Sequence, residues 1–131
     1  MPAALMVHDI DPAEKIWKEL GSAEDDIEIF NNQVLVAIYK RPEKTKGGVY
    51  YTDTTRDEDR FQGRVGMIVM MGNNAFKDED GKWFRETEFS EGDWVFYRNS
   101  DGSSIKINGV DCRIMEDIYI KGRVVRPDLV F

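Results

Sequence analysis

A residue-by-residue alternation of apolar side chains beginning after Asn31 constrains this chain more than any other feature. Val34, Val36 and Ile38 interleave with Leu35, Ala37 and Tyr39, so both faces of a strand here are apolar, as in a barrel wall buried on two sides. Arg64 to Met71 repeats the pattern, with Val65, Met67, Val69 and Met71 expected on one side. Trp94 to Tyr97, Ser104 to Ile107, Val110 to Met115 and Ile118 to Ile120 read as further short strands. The turn chemistry agrees. Asp80-Gly81 and Asn108-Gly109 favour the positive φ of tight hairpins, Asp101-Gly102 is a weaker example, and Gly92-Asp93 turns the chain into the Trp94 strand. Closely spaced short strands, with no second helical segment and no repeat at a solenoid period, predict an all-β fold: a small antiparallel barrel or sandwich.

A length of 131 residues allows one domain of this kind with a real core. The charge is unevenly placed along it. Residues 1–28 hold eight acids against two bases, so −6 of the net −7 falls there, and residues 29–131 are close to neutral. Such a step marks residues 1–28 as an acidic N-terminal extension. Within it Asp11-Pro12-Ala13-Glu14 has the form of a helix start, with Asp11 as cap, Pro12 in the first position and Glu14 at capping-box spacing. Ala13, Ile16, Trp17 and Leu20 then form one apolar stripe, and Gly21 suits the stop, giving a short helix over about 11–20. A helix of about nine residues is marginal alone. Its stripe therefore packs either on this chain's own barrel, the preferred expectation, or on a neighbour.

Between Tyr39 and Phe61 lies a stretch of little strand character: Lys40 to Gly48, then Val49-Tyr50-Tyr51, then polar residues from Thr52 to Arg60. Connections longer than ~12–15 residues in compact domains are usually functional or disordered. Two glycines before three apolar residues suit a flexible arm with a small sticky patch. The same residues also suit an edge hairpin whose Val49 and Tyr51 pack on the barrel, and composition leaves the two open.

The motifs from Ile29 to Val125 resemble, in order and spacing, the GroES-type (chaperonin-10) co-chaperonins. Asn32 to Val36 is similar to the family's first barrel strand, and Glu43-Lys44-Thr45-Lys46-Gly47-Gly48-Val49 to its mobile-loop signature, Glu-x-Thr-x-x-Gly-Gly-Ile. Gly63-Arg64-Val65 and Met71-Gly72-Asn73 correspond to the strand entering the roof hairpin, and Glu91 to Phe96 resembles Val-Gly-Asp-x-Val-x-Phe. Ile105 to Gly109 and Ile114 to Ile118 are similar to the closing hairpin and C-terminal strand.

The resemblance implies a GroES-like barrel over 29–125 with a C-terminal tail at 126–131. It also implies a homoheptameric ring that caps the ATP-bound end of a GroEL-type chaperonin and encloses a client. Gly47 and Gly48 align with the loop hinge, and Val49, Tyr50 and Tyr51 with the docking tripeptide. Asn73 to Glu91 aligns with the roof hairpin, tipped by Lys77, Asp78, Glu79, Asp80, Gly81 and Lys82. The lid has no cofactor of its own; ATP is bound by the partner chaperonin. Two features depart from the family: Val-Tyr-Tyr replaces an aliphatic tripeptide, and both termini extend past the usual short chain. Extended chains of this kind resemble co-chaperonins encoded by bacteriophages, for which the client is a capsid protein and the location the host cytoplasm.

The materials for catalysis are sparse. The same barrel occurs in zinc-dependent alcohol dehydrogenases, which also need Cys and His ligands and a nucleotide-binding domain. Here His8 is the lone histidine, Cys112 the lone cysteine, expected as a buried core thiol, and no glycine-rich phosphate loop follows a strand. Neither catalytic nor metal-ligating residues are assigned. Asp57-Glu58-Asp59 and Asp78-Glu79-Asp80 read as solvated loop charges. An acidic chain is a poor partner for nucleic acid, and no run is long and apolar enough for a membrane span. A cytoplasmic location is expected. The rival to a working co-chaperonin is a GroES-like ring with a structural or virion-assembly role and no chaperonin contact.

Overall fold

The computed structural model describes residues 11–40, 64–77, 84 and 87–127. Helix α1 (Pro12–Leu20) and a 3-10 turn (Ala23–Asp26) precede β1 (Gln33–Ile38). There follow β2 (Val65–Met71), β3 (Trp94–Phe96), β4 (Ser103–Ile107), β5 (Val110–Glu116), a 3-10 turn (Asp117–Tyr119) and β6 (Gly122–Val124). The strands form one sheet in the order β4-β5-β1-β2-β3-β6, with every pairing antiparallel. This is the small all-β fold that the alternation predicts. Among the described residues, no helix is long and apolar enough to cross a membrane.

The double-faced pattern of β1 has a direct cause: it is a central strand, paired with β2 on one side and β5 on the other, and Val34 to Tyr39 are all buried. Its two faces feed two cores. Leu35, Ala37 and Tyr39 join Val65, Met67, Val69, Trp94, Ile107, Val110 and Cys112 on one face. Val34 and Val36 join Ile68, Val95, Tyr97 and Met115 on the other.

Helix α1 covers the first face. Ile16 and Leu20 are buried there, with Ala13 and Trp17 packed alongside, and the Asn108 side-chain amide donates to the Leu20 carbonyl at 2.9 Å. The stripe packs on this chain's own sheet, as preferred from sequence. Asp11 makes no side-chain capping bond, so the capping box is not formed, although the Asp11 carbonyl accepts from Lys15 at 3.0 Å. Gly21 ends the helix at φ 58°.

Two strand expectations are corrected. Met71 does not share a face with Val65, Met67 and Val69. Leu35 pairs with Met70 but Val36 with Ile68, so Val69 is an extra residue in a β-bulge. Val69 and Met70 both turn towards the helix side, and Met71 reaches the opposite core. A bulge shifts the two-residue period by one, which alternation alone does not reveal.

Ile118 to Ile120 is not a strand. The segment coils as a 3-10 turn because Asp117 pins it: its buried carboxylate accepts from the Asn32 amide (3.2 Å) and the Phe76 backbone (2.8 Å), and its own N–H donates to the Asn32 carbonyl (3.0 Å). Tyr119 and Ile120 then cover the second core while Ile118 faces out. The last strand comes later, at Gly122–Val124, where Trp94, Val95 and Phe96 pair with Val124, Arg123 and Gly122. The Asn108-Gly109 turn closes the β4–β5 hairpin as expected, with both residues at positive φ (50° and 81°).

Candidate functional site

Two long connections leave this sheet, β1 to β2 and β2 to β3, and the sequence places the candidate residues on them. Gly47, Gly48, Val49, Tyr50 and Tyr51 lie outside the described residues, as do Asp78, Glu79, Asp80, Gly81 and Lys82 at the second tip, the loop acids Asp57 to Asp59, and His8. Lys77 is described and exposed. The geometry that bears on function is therefore that of the roots.

The β1–β2 connection starts and ends at one place. Ile38 pairs with Gly66, and the Tyr39 N–H donates to the Val65 carbonyl at 2.9 Å. Gly66 permits this approach: a Cβ there would sit 2.9 Å from the Ala37 carbonyl oxygen. The Tyr39 ring meets Trp94 edge-on at 5.8 Å. Just outside, Lys40 pairs with the nearly buried Asp111, whose other oxygen lies 3.7 Å from Lys106. On the far leg the Arg64 carbonyl accepts from the Tyr97 N–H at 2.9 Å. Tyr39 and Lys40 on one leg and Arg64 and Val65 on the other thus meet at one hydrogen-bonded ladder end, beside Asp111 of β5.

The β2–β3 connection has an aromatic root. Phe76 takes φ 60°, a rare conformation for an aromatic residue, and its N–H is held by Asp117. Its ring stacks on Phe89 at 4.0 Å, and Phe84 meets both edge-on, at 5.2 and 6.2 Å. Arg123 of β6 closes the group: its Nη1 donates to the Glu88 carbonyl (2.6 Å) and to Asp93 (3.2 Å), and its guanidinium lies 5.0 Å from the Phe89 ring centroid. The family motifs place Phe76, Phe84 and Phe89 in the roof hairpin and Asp117 in the closing motif but single out none of them, nor Asp111 or Arg123. The only available signal was Phe76, Phe84 and Phe89 flanking a charged stretch, which says nothing of their mutual contact.

Cys112, Tyr97 and Asp101 are buried in the fold. Burial, then the Asp111 charge, pushes the Cys112 thiol up to about 12, against a smaller pull from Lys40, so it is a neutral core thiol, as expected. Burial pushes the Tyr97 phenol well above its ordinary value, outweighing the nearby Arg113 charge. Burial alone would raise the Asp101 carboxyl. Hydrogen bonds from the Arg98 side chain and backbone, with that residue's charge, outweigh it and hold Asp101 below the ordinary carboxylate range. Among the described residues there is no group of three or more His, Cys, Asp or Glu able to hold a metal ion.

Comparison with known proteins adds the family. The family of the chaperonin 10 kDa subunit matches residues 26–124. The co-chaperonin GroES of Hyphomonas neptunium is 32% identical over 92 residues, covering 70% of this chain and 90% of that protein. Co-chaperonin GroES 1 of Rhizobium meliloti is 34% identical over 92 residues, covering 70% and 88%. The co-chaperonin GroES of Pelagibacter ubique is 32% identical over the same length. With one antiparallel sheet and a family match across three-quarters of its length, this chain belongs to the chaperonin-10 family.

Proposed function

We propose that this protein is a co-chaperonin: a ring-shaped lid that caps a GroEL-type chaperonin in its ATP-bound state and encloses a folding client. The observation that carries it is the family match over residues 26–124, which spans the whole β1–β2 connection with its Glu43 to Val49 signature. Gly47 and Gly48 act as the hinge, and Val49, Tyr50 and Tyr51 as the docking patch. A segment that orders on binding gives a weak contact for its area. Seven tethered copies restore affinity by effective concentration and leave each contact releasable, as a removable lid requires. The tip at Lys77 to Lys82 forms the roof of the dome.

The barrel at 29–125 lies almost wholly within the matched residues 26–124, and the acidic segment 1–28 and the tail 126–131 flank it. The lid carries no cofactor and no catalytic residue and works in the cytoplasm. Its extended termini and tyrosine-bearing tripeptide suit a phage-encoded lid that adapts a host chaperonin to a capsid protein.

The test replaces Val49 and Tyr51 by Ser together. Each buried side chain of this size contributes roughly 1.5–3 kcal/mol, compounded across the ring. Capping of an ATP-loaded GroEL-type chaperonin, read by sizing the mixture with and without ATP, should be abolished with the melting temperature unchanged. A double variant that caps as well as wild type refutes the docking assignment. A wild-type protein that binds no chaperonin refutes the co-chaperonin function in favour of a structural ring.

A further inference from the structure

Strand β6 ends the strand order, bonded among the described residues to β3 alone, and an edge strand presents backbone groups on which another chain can pair. A single side chain of that strand reaches back across the root of the β2–β3 connection. Arg123 spans 30 and 35 residues of sequence to meet Asp93 and the Glu88 carbonyl, and it lies over Phe89, which is stacked on Phe76. Asp93 is itself engaged, accepting from the Ser90 N–H at 3.0 Å, so the guanidinium bonds a carboxylate that already shapes the return leg. Only a planar, multiply donating cation can bond a carbonyl, pair with a carboxylate and stack on a ring at once. The Val95–Arg123 pairing fixes the Arg123 backbone, so the side chain reports the position of β6.

We infer that Arg123 is a latch joining the edge strand β6 to the return leg at residues 87–90, so that a second copy of this chain pairing along β6 also steadies that leg. The coupling to a second copy rests on the proposed ring; the latch does not. Contacts on one side of Arg123 stiffen the other, and by linkage an ordered return leg favours the β6 position that a neighbour meets. Arg123 is a positioning residue. It is partly exposed, so it holds a local equilibrium rather than the global fold.

The test is hydrogen–deuterium exchange of the whole protein without any chaperonin, at concentrations above and below ring dissociation, with mass measured on the same samples. In Arg123→Ala, exchange over 87–90 should accelerate roughly five- to tenfold, the loss of a charge-assisted bond and a cation–π contact at a part-exposed site. The amides of β1 should be unchanged. Arg123→Lys, which keeps the charge without the fork, should fall between the two. In wild type, dilution to subunits should speed exchange over 87–90, and Arg123→Ala should abolish that dependence. Equal exchange in wild type and Arg123→Ala overturns the latch, and so does uniform acceleration that includes β1. If Arg123→Ala does not fold, Arg123→Lys alone decides, and wild-type exchange there overturns the latch. If rings dissociate without changing exchange over 87–90, the coupling is overturned; if no ring forms at any concentration, the ring function fails while the variant comparison still judges the latch.

Discussion

Leu20→Ala tests whether helix α1 is part of the core or an ornament of the extension. Leu20 is 4% exposed at the last turn of the helix and, with Ile27, Leu35, Val69, Met70 and Ile107, lines a small apolar pocket. The change removes three buried carbons, about 2.4 kcal/mol at ~0.8 kcal/mol each. A cavity adds to this where the surroundings cannot collapse. Here the pocket already adjoins solvent-facing Glu24, so water and side-chain movement relieve part of that cost. The expected loss is about 2.5–3 kcal/mol, or roughly 8–12 °C in melting temperature for a domain of this size. Thermal unfolding followed by circular dichroism reads it, with exposed Glu19→Ala as a control expected within ±0.5 kcal/mol. A melting temperature within a degree of wild type would refute the packing. It would return residues 12–20 to the status of a detachable extension, as the charge step alone suggests.

Gly72→Ala should be as costly for a different reason: a Cβ there would lie 2.2 Å from the Asn31 carbonyl oxygen and 2.7 Å from that of Phe30, backbone atoms that cannot swing aside. A loss of about 2–4 kcal/mol by urea titration is expected; an unchanged midpoint would contradict the close approach of β2's exit to the turn before β1. Asp101 supplies a pH signature. Its carboxyl is held below its unfolded value, so its stabilisation is complete above about pH 4 and fades as pH falls through the lower folded value; Asp101→Asn should be less stable at pH 7 and show a flatter acid decline, and an identical decline would remove Asp101 as a source. The Tyr97 hydroxyl is buried with no protein hydrogen-bond partner among the described residues. Tyr97→Phe should therefore be neutral or stabilising by up to about 1 kcal/mol, and a loss above that would reveal a partner for the hydroxyl.

What was legible in the sequence is whatever depends on local period and local turn chemistry. The two-faced alternation from Val34 to Tyr39 marks a central strand because only a strand with neighbours and cores on both sides can hide both sets of side chains. Asn108-Gly109 places a hairpin because few other pairs accept positive φ twice running. The stripe from Ala13 to Leu20 calls for a surface, and the sheet supplies one. The order of motifs from Ile29 to Val125 carries the family, which the match over residues 26–124 shows.

Only tertiary structure decided the rest, since each case turns on partners far apart in sequence. The bulge at Val69 exists because two strands some thirty residues apart must keep Val34 opposite Met71 and Val36 opposite Ile68. Asp117 bends Ile118 to Ile120 out of the sheet by meeting Asn32 and Phe76, neighbours that no window along the chain contains. Arg123 reads as one more exposed cation on a short strand until the fold sets Glu88, Phe89 and Asp93 within its reach. Period and turn chemistry are properties of adjacent residues, so the sequence carries them openly. A buried carboxylate's donors, an extra residue in a ladder and the reach of one guanidinium are properties of distance in space, which the chain acquires only when the sheet closes on them.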